Sequence, residues 1–246
     1  MSKLISFEFR KILRQKSLYI CLIIVLGLIG LSAAVNASLE KNPEFEFLFT
    51  VSSFTKQALS SASFFMILGI FVALYCCDDV ANNTLKNLYS RGFSRGQVYF
   101  SKYIVSLIVS EALAVICFLF AFLTSKAAAS EGENAKLLGS IFSQLILVVA
   151  YHAVYFSVAT IIGKVGGSVV VNIAGPMLVL TVLTLITSLL KLKSVNLGDY
   201  WLESAMQGLT VTTIETKAFI KAIVMGIIYT VAFVPVGYVM NKKKEL

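Results

Sequence analysis

Few residues in this chain are placed to do chemistry. Glu111 is the one carboxylate set well inside a long apolar run, and His152 is the sole histidine. An ionisable group among apolar residues is a candidate for a translocation or gating role, because such a charge is costly unless it has one. The competing role for Glu111 is a helix-to-helix hydrogen bond, and for His152 a satisfied packing contact. Neither has a catalytic companion: no paired Ser/His, paired Asp or H-E-x-x-H pattern lies in the apolar runs. Cys21, Cys76, Cys77 and Cys117 form no C-x-x-C pair and sit in or beside apolar runs, where a thiol behaves as a small apolar group; neither a disulfide nor a metal is expected. The stretch Gly163-Lys164-Val165-Gly166-Gly167-Ser168 lacks the first glycine of a phosphate-binding loop, so any nucleotide site is expected on another chain. The chain is therefore read as a non-catalytic one.

The elements that must hold these residues follow from composition. Apolar residues make up 58% of the 246 and charged ones only 14%, and the apolar ones fall in blocks. A hydrocarbon layer of about 30 Å asks a helix for roughly 20 such residues, with every amide bonded inside its own segment. Six blocks qualify, at about 18–39, 58–77, 104–124, 137–163, 168–190 and 218–240. The fold expected is an all-α membrane protein with one transmembrane domain, 18–246, preceded by a helical segment at 1–17. That first span is too long for a signal-peptide core and reads as a retained helix.

Charge sets the orientation. Lys3, Arg10, Lys11, Arg14 and Lys16 precede the first span; Lys86, Arg91, Arg95 and Lys102 lie between the second and third; Lys164 and Lys242, Lys243 and Lys244 fall on the same side. Glu40, Glu44, Glu46, Glu131, Glu133, Asp199, Glu203 and Glu215 fall on the other. Positive loops stay in the cytoplasm, so both termini are expected there, in a cell membrane. The net charge of +8 is then explained by anionic lipid without nucleic acid. In the first segment Ile5, Phe9, Ile12 and Leu13 share a helical face while Lys3, Arg10, Lys11 and Arg14 point away, with Phe7 off the pattern. Such a helix can lie in the interface, or serve only as a positive anchor.

Two other stretches carry signals. Gly163, Gly166, Gly167, Gly175 and Pro176 crowd around the fifth span, and Pro235 lies in the sixth; small residues permit close helix approach and proline removes a backbone hydrogen bond. Gly175 and Pro176 are further candidates for a moving or gating seam. Between the last two spans, residues 191–217 hold Trp201, suited to an interface anchor, and a Thr-rich run from Thr210 to Thr213.

The connection between the second and third spans, 78–103, is the most patterned. An acidic pair, Asp78-Asp79, leaves the second span; Thr84-Leu85-Lys86 starts a short helix from about Asn83 to Tyr89; a Ser90-x-Gly92-x-Ser94-Arg95 turn follows; and Lys102 enters the third span. Charges to orient a partner and a glycine turn exposing backbone are what a docking element needs. Asp79, Thr84, Lys86, Ser90, Gly92, Ser94, Arg95 and Lys102 resemble the cytoplasmic signature of type-2 ABC exporter permeases, with Asn83 where many relatives carry glycine. The likeness covers the six spans, the amphipathic entry helix and the short re-entrant or capping helices that the family places before its last span.

What the resemblance implies is a permease that sits, as two like or paralogous copies, on two ABC ATP-binding subunits. Those subunits would carry ATP and Mg, while this chain carries no cofactor. Their closure would move the loop, including Arg91, and the entry helix as a lever. The chain also resembles small permeases of lantibiotic and antimicrobial-peptide immunity, and another cargo, whether drug, ion or lipid-linked, fits the same plan. A pore would explain the spans but not the patterned loop, and an intramembrane enzyme lacks its residues.

Overall fold

A computed structural model describes residues 1–40, 50–82, 84–128, 137–190, 196–210 and 216–243. The chain is an all-α membrane protein, with six helical segments long and apolar enough to cross a bilayer. The described helices are α1 (Ser2–Arg14), α2 (Lys16–Glu40), α3 (Val51–Ser60), α4 (Ala62–Ala81), α5 (Thr84–Ser90), α6 (Arg95–Ala128), α7 (Leu137–Ile162), α8 (Val165–Leu189), α9 (Leu202–Gln207) and α10 (Thr216–Lys242), with a 3-10 turn at Leu197–Tyr200 before α9; the crossings are α2, α3 with α4, α6, α7, α8 and α10.

α7 is the axis of the bundle. Nearly all of its length from Leu147 to Ala159 is buried, and α10, α4, α6, α3 and α8 pack around it. Two glycines let α10 approach closely: a Cβ at Gly226 would stand 2.6 Å from Ile146 Cγ2, and one at Gly237 would stand 2.5 Å from the Tyr99 hydroxyl and 2.7 Å from Ser157 Oγ. They are eleven residues apart, three turns, so they lie on one helix face. At that face Ser157 Oγ donates to the Phe233 carbonyl (2.8 Å) and Tyr99 OH to the Val234 carbonyl (2.9 Å). Without competing water, such bonds and close backbone contact hold membrane helices together.

α8 buries only Ser168 and Asn172 and turns Val170, Leu178, Val182 and Leu185 outward, as a lipid-facing helix does. Asn172 ties it down: Nδ2 donates to the Gly69 carbonyl at 3.0 Å and the Tyr155 carbonyl at 3.4 Å. Gly163, with φ 68°, supplies the left-handed residue that closes α7 and lets α8 start two residues later. α8 and α10 run through Pro176 and Pro235 respectively.

The structure revises several boundaries. The second crossing is two helices, not one beginning at 58. Thr50 caps α3 by accepting from Ser53 N, and Ser61, in extended backbone (ψ 136°), ends α3 and caps α4 by accepting from Phe64 N. The third span starts at Arg95 rather than 104; its 34 residues extend about 51 Å, well beyond a ~30 Å hydrocarbon core. The 78–103 connection is therefore mostly helix: the end of α4, all of α5 and the first turns of α6. Trp201, read as suited to an interface anchor, packs inside the chain. It is 5% exposed and packs edge-on against Tyr229, whose hydroxyl donates to the Tyr200 carbonyl at 2.9 Å. Asn83 and the 211–213 part of the Thr-rich run lie outside the described residues; Thr210 Oγ1 donates to the Gln207 carbonyl at 2.7 Å.

Candidate functional site

The patterned connection folds for local reasons that each residue of the turn supplies. Gly92, at φ 86°, terminates α5; Phe93 N donates to the Leu88 carbonyl (3.3 Å) and Gly92 N to the Tyr89 carbonyl (2.9 Å), the paired bonds of a Schellman motif. Ser94 then caps α6: its Oγ accepts from Gln97 N at 3.2 Å while Gln97 Oε1 accepts from Ser94 N at 3.0 Å. Leu88 and Val98 pack with Leu4 of α1, flanked by Leu85, Tyr89 and Phe93. The hairpin of α5 and α6 is thus clamped to the amino-terminal helix by its own apolar side.

Its other side is open. Lys86, Ser90, Arg91, Gly92 and Ser94 are exposed, Thr84 is half-buried, and Lys86, Tyr89, Phe93, Ser94 and Arg95 line a shallow concavity at the tip. Burial raises the Tyr89 phenol above its ordinary pKa, opposed by the neighbouring Arg95 cation. Arg95 does not simply project outward. Its Nη1 donates to the Lys242 carbonyl at 2.7 Å, at the carboxyl end of α10 where the helix dipole is negative, and its guanidinium lies 5.9 Å from the Tyr89 ring centroid.

Asp79 and Lys102, grouped with the docking surface by their place in the motif, are instead buried together. Asp79 pairs with Lys102 through one oxygen and with Lys11 of α1 through the other, and its side chain is 1% exposed. Lys11 also lies 3.7 Å from Asp78. Tyr75 donates to Glu8 at 2.8 Å, and the Lys102 and Lys11 ammonium groups stand 5.2 and 5.8 Å from the Tyr75 ring centroid. Acids and bases therefore alternate across α1, α4 and α6: the buried Asp79 and Lys102 face each other, and Glu8 accepts from the Tyr75 hydroxyl through one oxygen, which lowers the cost of holding them away from water. The joint and the Arg95–Lys242 contact put both terminal helices and the loop at one end of the bundle.

The entry helix departs from expectation at two positions. Leu4, Glu8 and Ile12 form its buried edge, Ile5 and Phe9 are half-buried, and Arg10 and Arg14 are exposed; Leu13 is 43% exposed and does not share that face. Glu8 was not marked as a site residue, yet it is fully buried. The signal was available: Glu8 stands three and four residues from Ile5, Leu4 and Ile12, so it occupies the middle of the apolar face. Lys11 and Tyr75 were missed because their partners are some 67 residues away in sequence.

Glu111 stands sixteen residues into α6, about 24 Å from its start instead of the ~10 Å that a later start implies. One carboxyl oxygen is buried without a hydrogen bond among the described residues. It shares no described hydrogen bond or cavity with Gly175 or Pro176; Pro176 instead lines a small cleft with Phe65, Tyr151, Tyr155 and Glu203. His152 is held between Ser106 and Ser110, each hydroxyl 3.1 Å from a ring nitrogen, consistent with a packing residue. The four cysteines are buried and in no disulfide, and no cluster of metal-ligating residues occurs among the described residues.

The structure is thus a six-crossing helical bundle with a capped, basic hairpin at the end where it meets α1 and the close of α10. Residues 4–165 match the family described as ABC-2 family transporter protein, and the chain belongs to that family. The match spans α1 through α7 and so contains the charge joint and the hairpin. No curated protein matches the chain. Membership makes it the permease component of an ABC transporter and implies an ABC ATP-binding partner.

Proposed function

We propose that the chain is the permease subunit of an ATP-driven exporter, with its termini and the α5–α6 hairpin on the cytoplasmic side of the cell membrane. Two copies, or one with a paralogous permease, sit on two ATP-binding subunits that carry ATP and Mg. The observation that supports this reading is the hairpin's division into two faces. Its tip is exposed and basic, through Lys86 and Arg91, while its flanks are fixed to α1 by Leu4, to α4 by Asp79–Lys102, and to α10 by Arg95. A push on the tip is then transmitted to three membrane-linked elements as a rigid-body motion. Antimicrobial peptides or drugs, exported for self-protection, are the cargo class proposed from the likeness to immunity permeases.

The test is ATP hydrolysis by the assembled complex in vesicles. Arg91→Glu, at an exposed turn, is expected to leave insertion and assembly of α1–α10 intact while abolishing permease-dependent stimulation. Unchanged stimulation with normal export would reject the hairpin as the docking element.

A further inference from the structure

We propose that a groove between α2, α3 and α4 binds a membrane amphiphile with one alkyl chain and an uncharged, hydroxyl-rich head, drawn from the leaflet remote from the termini. The groove exists because of the break at Ser61. α3 leaves the line of α4 and packs on α6, α7 and α9, so the space between α3 and α2 stays open. Its volume is about 400 Å³, within the ~300–1,000 Å³ usual for small-molecule sites.

Its chemistry changes along its length. Val25, Ile29, Ser32 and Asn36 succeed one another at helical spacing on α2, with apolar residues toward the middle of the bundle and polar ones toward the end remote from the termini. Facing them, Phe64 and Ile67 of α4, with Ser63 beside Phe64, line the inner part, while Gln57 of α3 adds an amide toward the outer end, where Leu31, Val35 and Phe54 also form the wall. From Val25 to Asn36 is about 16 Å, half of a ~30 Å hydrocarbon core. Counted from Lys16, the first residue of α2, the groove begins about 14 Å along and ends about 30 Å along. It therefore spans one leaflet, tail end at the midplane and head end at the far surface.

Toward the head end, Ser32, Asn36 and Gln57 make no side-chain hydrogen bond to another described residue, whereas Ser38 of α2 and Thr55 and Ser60 of α3 return their hydroxyls to a backbone carbonyl. Two amides and a hydroxyl offer both donors and acceptors. No lining residue among the described ones is charged. Such a set satisfies a head that itself both donates and accepts, and offers no counter-ion to a charged one.

This site stands on the groove alone and does not depend on the exporter reading. It is tested with the full chain in lipid nanodiscs and three photoreactive probes with the same diazirine-tagged dodecyl chain: a glucoside, a sulfate and a trimethylammonium. The glucoside is expected to label peptides of α2 and α4 saturably, and the two ionic probes to label them weakly. Asn36→Leu with Gln57→Leu removes two hydrogen-bonding groups and should lower glucoside labelling about tenfold without changing the ionic probes. Ser32→Phe should block the groove to all three. If variants misfold, competition on the unaltered chain between unlabelled glucoside and sulfate gives the same answer. Non-saturable labelling, labelling of α8 and α10 equal to that of α2, or equal competition by the sulfate would overturn the proposal.

Discussion

Replacing Asp79 by asparagine removes the charge that two ammonium groups share. Lys11 is 20% exposed and can turn toward water, but Lys102 is 6% exposed and is fixed beneath α1. Deleting one partner of a buried pair costs about 3–5 kcal/mol, because the other charge is left without compensation. The share carried by the better-solvated Lys11 belongs to the ~0–1 kcal/mol range of exposed pairs. The expected loss for Asp79→Asn is thus about 3–5 kcal/mol, nearly all of it owed to Lys102. In a Lys102→Met background the stranded cation is gone and Asp79 retains Lys11, so the same substitution should cost no more than about 1 kcal/mol. The assay is a double-mutant cycle on reversible unfolding in mixed micelles. An Asp79→Asn effect below about 0.5 kcal/mol, or strict additivity with Lys102→Met, would refute the buried-joint argument.

Three further outcomes are expected. Gly237→Ala should destabilise by about 1–3 kcal/mol, since its Cβ would fall 2.5 Å from the Tyr99 hydroxyl, and Tyr99→Phe should recover part of the loss; thermal unfolding of the three variants measures it. Trp201, the sole tryptophan, should show blue-shifted emission resistant to aqueous iodide, because it is packed against Tyr229; ready quenching would place it at the surface instead. Burial raises the Glu203 carboxyl above its ordinary pKa, so the folded chain holds that proton more tightly than the unfolded one. That contribution to stability is full below the unfolded value of about 4.3 and is lost as pH rises through the folded one, so Glu203→Gln should flatten the decline in a pH series of melting temperatures.

The six crossings were legible in the sequence because lipid imposes length and composition together. Where the reading slipped, polarity misled it. The second span was read from 58, just after Lys56 and Gln57, yet Lys56 is 2% exposed in α3, packed inside the protein where hydropathy alone does not place it. Lys102 argued for ending a loop, although it is a buried residue two turns into α6. The short helix α5 and the Gly92 turn after it were visible, since they depend on local backbone geometry, but the start of α6 behind Ser94 was not. The charge joint was not, because opposite charges on α1, α4 and α6 become partners only when the bundle closes. Glu8 is the exception, readable from its position amid apolar neighbours on a helix of thirteen residues.

The most direct test of a permease docked to an ATP-binding subunit uses single cysteines as cross-linking handles, since the native four are buried. Arg91→Cys, at the hairpin tip, should cross-link to the ATP-binding subunit in native membranes and change its yield when ATP is added, whereas Ser204→Cys, in α9 at the opposite end, should not. Absence of any adduct at position 91, or equal adducts at both positions, would contradict the account.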